Sequence, residues 1–222
     1  MRDEASRRFR CVVFDWDGTL ADSTTIIARS IREALHDMGE PVPGEDAARW
    51  VIGLGLADAL RIVAPSLPPH RHHELTAHYR TRYLGAEEDI SMFPGAVDLL
   101  DELEGAGYFL AVATGKSRRG LDRVLAKNGL EKRFHATRCA DEGHPKPHPD
   151  MLLHLMDRLG VEPSETLMIG DTTHDLELAR NAGAEAIAVT YGAHERDLLA
   201  RHAPLATVHS IAELAQWLRE NG

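Results

Sequence analysis

Residues 11–23 read CVVFDWDGTLADS. Four apolar residues run without alternation into Asp15. A short continuous apolar run of this kind is a strand buried on both faces, as in a parallel sheet covered on each side. Two carboxylates, Asp15 and Asp17, stand two residues apart just past it. They repel each other unless a cation or a proton relieves them. Gly18 lets the backbone turn tightly and present its amides, and the Thr19 hydroxyl can fix that turn. A calcium loop is excluded, because no further oxygen ligands follow at the required spacing and the acids follow a hydrophobic strand. Taken alone, the motif also fits a plain acidic turn.

Three further runs read as buried strands: residues 108–114 (YFLAVAT), 166–170 (TLMIG) and 185–190 (EAIAVT), with a weaker one at FHAT from Phe134. Helical patterns alternate with them. GAVDLLDELEGAG places Val97, Leu100 and Leu103 on one stripe and stops at its glycines. SRRGLDRVLAKNG opens at Ser117 as a cap, and DMLLHLMDRLG and THDLELARNAG follow. Ser210 with Glu213 opens the last helix as a capping box. This alternation predicts a doubly wound α/β domain with a mostly parallel, Rossmann-like sheet. Between the first strand and the helix near Ala96 lie about 80 residues without a convincing strand, too many for a simple crossover. Residues 24–38, 47–63 and 70–83 read as helices, with the breaker APSLPP before the last. The expected organisation is an α/β core over 1–20 and 88–222 and an all-helical cap over 21–87. Such a cap stands over the carboxyl end of the first strand, where open α/β sheets bind ligands, and can exclude water there.

The chemistry-bearing segments all follow sheet strands. Thr114 ends a strand, Gly115 frees amides at a helix start suited to phosphate oxygens, and Lys116 adds a cation. Lys146 lies between prolines in GHPKPHPD. Alone it reads as a surface lysine, but a rigidly presented ammonium can hold a carboxylate and a phosphoryl group together. In GDTTHD, Asp171 follows a strand, Asp175 lies one helical turn on, and Thr172 or Thr173 can cap the helix. An oxygen-only cluster with a phosphate substrate favours Mg²⁺.

The 222 residues carry a net charge of −10, with 43% hydrophobic and 27% charged residues. That surface disfavours nucleic acid and anionic membrane as partners. Cys11 and Cys139 read as two buried small hydrophobes without zinc spacing, in keeping with a reducing compartment. No signal-peptide pattern and no bilayer-length apolar run occurs, so a cytoplasmic protein is expected.

On DWDGTLADS, ATGKS, KPHPD and GDTTHD, the sequence resembles the haloacid dehalogenase-like superfamily of phosphatases, in the branch with an inserted helical cap. DGTLADS, RWVIGLGLADAL (49–60) and FPGAVDLLDELEGAGYFLAVATGKSRRGLDRVL (93–125) are most similar to phosphoglycolate phosphatases. The resemblance implies Asp15 as nucleophile and metal ligand. It implies Asp17 as general acid/base and a ligand through its carbonyl, Asp171 as a second side-chain ligand, and Asp175 ordering the metal's water. Thr114 and the Gly115 amide would hold phosphoryl oxygens, and Lys146 would bridge nucleophile and phosphate. Gly18, Thr19, Lys116 and, in the cap, Arg49 are expected near substrate. Trp16 departs from the smaller residue or Phe commoner in that slot, and its side chain can face the core. His174 is also unusual there; it reads as a solvated residue of the first helical turn, or as one that lines the site edge. Trp50 reads as a core residue, or as part of a substrate-contacting segment with Gly53 and Gly55. His70, His72, His73 and His78 cluster in the cap without partner thiolates and are discounted as a metal site.

The implied activity is Mg²⁺-dependent hydrolysis of a small phosphorylated metabolite, phosphoglycolate first, by a monomer or homodimer. Pyrophosphate, nucleotide or sugar-phosphate hydrolysis and sugar-phosphate mutation share the chemistry. A catalytically inactive binding module is the alternative of another class. Dehalogenation needs no metal and does not suit so complete a set of acids.

Overall fold

The first apolar run forms β1, Cys11–Phe14, at the inside of a sheet that has six strands among the described residues. Its neighbours are β2 (Phe109–Thr114) and β4 (Thr166–Gly170); β3 (Ala136–Cys139), β5 (Glu185–Val189) and β6 (Ala206–Val208) complete it. The order is β3-β2-β1-β4-β5-β6 and every pair is parallel. Cys11 pairs with both Phe109 and Thr166, and Phe14 with Val112 and Ile169. The structure, a computed structural model, describes residues 7–222.

Alternation along β1 explains why the run is apolar throughout. Val12 and Phe14 belong to one buried cluster, with Leu110, Val112, Leu167 and Ile169. Cys11 and Val13 belong to the cluster on the opposite face, with Ala111, Ala113 and Met168. Helices α5 (Ala96–Gly105), α6 (Arg118–Asn128) and α10 (Ile211–Asn221) supply the first cluster. Helices α7 (Asp150–Leu159) and α8 (Thr173–Ala182) supply the second. Both cysteines are buried and free. Trp16 is 1% exposed and meets Phe134 edge-to-face, so its bulk goes into the core.

Between β1 and α5 the chain is helical: α1 (Thr24–Asp37), α2 (Glu45–Trp50), α3 (Leu56–Val63) and α4 (His72–Ala86). The two long helices, α1 and α4, pack together, and Arg82 grips Asp37 through two hydrogen bonds of 2.7 and 2.8 Å.

Several local expectations are corrected. The helix expected over 47–63 is two helices, because Gly53 takes a φ of +92°, a left-handed value that breaks the run. Residues 69–71 form a 3-10 turn and the helix proper starts at His72. The buried face of α5 is Leu99, Leu100 and Leu103, while Val97 is exposed. The strand expected from Phe134 begins at Ala136. Strand β6 and the short helix α9 (Arg196–Ala200) were not anticipated.

Candidate active site

A parallel sheet brings all strand ends to one edge, and the strand order reverses direction at β1. Asp15 follows β1, Thr114 ends β2, and Asp171 follows β4. Asp15, Asp171 and Asp175 are fully buried and offer carboxylate oxygens within 4.8 Å of one another. They are the one such group of potential metal ligands among the described residues.

Each acid is held differently. Asp171 accepts from the Thr19 hydroxyl at 2.8 Å and from the Ala193 amide at 2.7 Å. Asp175 closes a reciprocal cap at the start of α8: its Oδ2 accepts from the Thr172 amide and hydroxyl, at 3.0 and 2.6 Å. Lys146, its side chain wholly buried, places Nζ 2.8 Å from Asp15 Oδ1 and 2.5 Å from Asp175 Oδ1. Asp15 Oδ1 thus faces the ammonium, while Oδ2 has no hydrogen-bond partner among the described residues. Glycines make the crowding tolerable. A Cβ on Gly18, whose φ is +85°, or on Gly192 would lie 2.2 Å from Asp171 Oδ2.

Burial dominates the electrostatics. It pushes the Asp15 carboxyl up to about 7, opposed chiefly by Lys146 and reinforced by Asp175. Burial also raises Asp171 well above the usual carboxylate range, with Asp15 and Asp175 adding to it. Three buried carboxylates facing one ammonium leave two negative charges uncompensated when all are ionised. Such a site demands protons or a cation. The unpartnered Asp15 Oδ2, in an oxygen-only donor set, fits a hard divalent cation.

Asp17 stands outside this triad. Its Oδ1 accepts from the Ser23 hydroxyl at 2.7 Å and lies 3.0 Å from Lys116 Nζ. Lys116 also donates to the Tyr83 hydroxyl of α4 at 2.8 Å. Asp17, Gly115 and Lys116 line a cleft of about 830 Å³ between the cap helices and the sheet edge. Thr114 is buried, its hydroxyl accepting from the Lys116 amide at 3.2 Å.

The cap reaches the core at two points. A Cβ on Gly115 would lie 2.5 Å from the Leu54 carbonyl and 2.6 Å from that of Gly53, so the α2–α3 turn rests on the β2–α6 turn. The Trp50 carbonyl takes His174 Nε2 at 2.9 Å and His194 Nε2 at 3.0 Å. The Trp50 ring stacks on His194 with centroids 4.8 Å apart. His194 Nδ1 accepts from the Thr173 amide at 3.0 Å, which fixes a neutral ring with its proton on Nε2. Burial pushes His194 down to about 4.

The sheet edge therefore gathers Asp15, Asp17, Gly18, Thr19, Thr114, Gly115, Lys116, Lys146, Asp171 and Asp175. Arg49 is not brought to the cleft wall; its guanidinium donates to the Thr24 and Thr25 hydroxyls and pairs with Glu45. His174 is 6% exposed rather than solvated, and Trp50 is 41% exposed rather than part of the core. His72 bonds the Leu67 carbonyl. Arg118 is paired with Glu142 and Asp122. Sequence reasoning missed Ser23, Tyr83, Ala193 and His194. The last two lie in YGAHE just past β5, and their place at the same sheet edge was the available signal.

No helix among the described residues is long and apolar enough to cross a membrane. The family model for haloacid dehalogenase-like hydrolases matches residues 12–189. The probable phosphatase IndB of Dickeya dadantii is 39% identical over 209 residues, covering 91% of this chain and 90% of that protein. Tyrosine-protein kinase PtkA of Mycobacterium tuberculosis is 33% identical, covering 93% of this chain and 72% of that protein. Phosphoglycolate phosphatase of Escherichia coli is 30% identical, covering 92% and 90%. On a match across both the sheet and the acids at its edge, this chain belongs to the haloacid dehalogenase-like hydrolases, as a phosphatase similar to the phosphoglycolate phosphatases.

Proposed function

We propose that this phosphatase hydrolyses small phosphate monoesters with Mg²⁺, using Asp15 as nucleophile. The observation that carries the reading is the Asp15 carboxylate. It is buried beside Lys146, grouped with Asp171 and Asp175, and its Oδ2 has no hydrogen-bond partner among the described residues. A carboxylate so placed is positioned to attack and is not tied down as a structural acceptor.

In the first step an Asp15 oxygen bonds to phosphorus and the ester P–O bond breaks. Asp17 gives its proton to the leaving alkoxide, leaving an aspartyl phosphate. In the second, Asp17 takes a proton from water, whose oxygen attacks phosphorus and frees Asp15 and phosphate. Thr114 and the Gly115 amide receive phosphoryl oxygens, and Lys146 offsets their charge. Gly18 and Thr19 shape the turn that presents Asp17, and Lys116 orients its carboxylate. Asp15, Asp171 and the Asp17 carbonyl would hold Mg²⁺, with Asp175 ordering its water. When bound, the ion supplies fixed positive charge against the transferring group.

The cap over 21–87 is assigned the choice of substrate, and the core over 1–20 and 88–222 the chemistry. The acidic net charge supports a small-molecule partner over nucleic acid or membrane, and the two free cysteines support a cytoplasmic setting, as monomer or homodimer. Turnover of an aryl phosphate with and without Mg²⁺ tests the reading. Asp15→Asn is expected to lower kcat by more than about 10⁴-fold, beyond what loss of a general acid alone costs. Retained turnover in that variant would show that the nucleophile lies elsewhere.

A further inference from the structure

The cleft above Asp17 is larger and more apolar than a two-carbon acid phosphate needs. At about 830 Å³ it falls in the size range of pockets that enclose drug-sized ligands, roughly 300–1,000 Å³. Its polar end is Asp17, Gly115 and Lys116. Away from that end its walls are Ile27 and Ile31 of α1, Val51 and Leu54 of the α2–α3 turn, and Tyr79 and Leu84 of α4. Leu84 is 47% exposed, an apolar side chain facing the cleft without cover from the protein.

The charges in the wall are largely spent. Lys116 is paired with Asp17, Arg123 with Glu87 and Arg61 with Asp58. Arg80 and Arg119 line the cleft without a carboxylate partner among the described residues, and both are exposed to solvent. Solvated cations of this kind draw anionic esters toward the cleft but do not hold a second anion firmly. A sugar body would lay part of its hydroxyls against the aliphatic stretch of Ile27, Ile31, Val51 and Leu54, which offers them no side-chain partner.

Resting on the phosphatase reading above, we infer that the preferred substrates are phosphate monoesters of a bulky apolar alcohol. The phosphate sits at Asp15 and Gly115 with its ester oxygen toward Asp17, and the apolar body lies along the cleft wall made by α1, the α2–α3 turn and α4. Binding energy then comes from burying the body, and small or hydroxylated esters forgo it.

The full-length protein with Mg²⁺ is assayed on three alkyl phosphates, so that leaving groups are comparable: naphthylethyl phosphate, phosphoglycolate and a pentose phosphate. The inference expects kcat/KM for the naphthylethyl ester to exceed both others at least about tenfold. In Leu84→Glu, that advantage should shrink mainly through KM, because a charge replaces apolar wall. Turnover with phosphoglycolate or the pentose phosphate preferred, or with no preference, overturns this inference and keeps the phosphatase reading. No Mg²⁺-dependent turnover of any ester removes the phosphatase reading and this inference with it. An advantage unchanged in Leu84→Glu overturns the placement of the apolar body against α4.

Discussion

The Lys146 ammonium sits between Asp15 and Asp175 with its side chain closed to solvent. Read in its own segment, Lys146 is a cation between two prolines, and nothing local marks it as buried. What buries it is the distant convergence of β1 and β4, which only the assembled sheet reveals. Lys146→Met keeps much of the volume and leaves the carboxylates without their cation. Removing one partner of a buried ion pair typically costs 3–5 kcal/mol. Urea unfolding in the presence of a chelator is expected to show a loss of about that size, and Mg²⁺-dependent turnover should fall sharply. An unchanged midpoint would mean that the acids are neutral in the resting protein.

Among the elements, the α2–α3 turn is the least legible in sequence and the most consequential. RWVIGLGLADAL carries an apolar pattern that reads as one helix, and the break depends on the backbone angle at Gly53. By contrast, β1, β2 and β4 are legible because burial on both faces writes a continuous apolar run. Strand β6 is three residues at the sheet's edge, too short to leave such a run. His194 has no periodic signature, since its role arises from a loop meeting the Trp50 carbonyl. Its ring is neutral in the folded protein, with a pKa of about 4 against 6.5 for a free imidazole. The unfolded chain therefore binds more protons between those values. Its contribution to stability is complete above pH 6.5 and is lost as the pH falls toward 4, by at most about 3 kcal/mol. His194→Gln, which keeps a donor for the Trp50 carbonyl, should remove that part of the acid destabilisation. Identical pH profiles of Tm in the two proteins would refute it.

On the scale of the whole molecule, the core stores a negative charge that its own cations only partly balance. A divalent ion bound at 100 times its Kd would stabilise the fold by about 2.7 kcal/mol. For a chain of this length that corresponds to a Tm higher by roughly 5–10 °C. Thermal unfolding with Mg²⁺ and with excess chelator measures it, and coincident curves would argue against the acids as a cation site. The inner strands of the sheet and the position of the acids follow from patterns spread along the chain, so they are open to a reader of the sequence. The cleft is not, because its walls come from helices whose facing sides are decided by packing.

Gly115 lies under the carbonyls of Gly53 and Leu54 so closely that no side chain fits there. Two backbones meet at that point, and neither surface depends on which side chains the cap carries elsewhere. The inner faces of α1 and α4 are thus free to be rewritten for a new leaving group while the seat of the cap stays the same. A lineage can then diversify what it dephosphorylates by accumulating changes on two helices, without disturbing the machinery beneath them. Exchanges that separate residues 50–55 from 114–116 would forfeit that freedom.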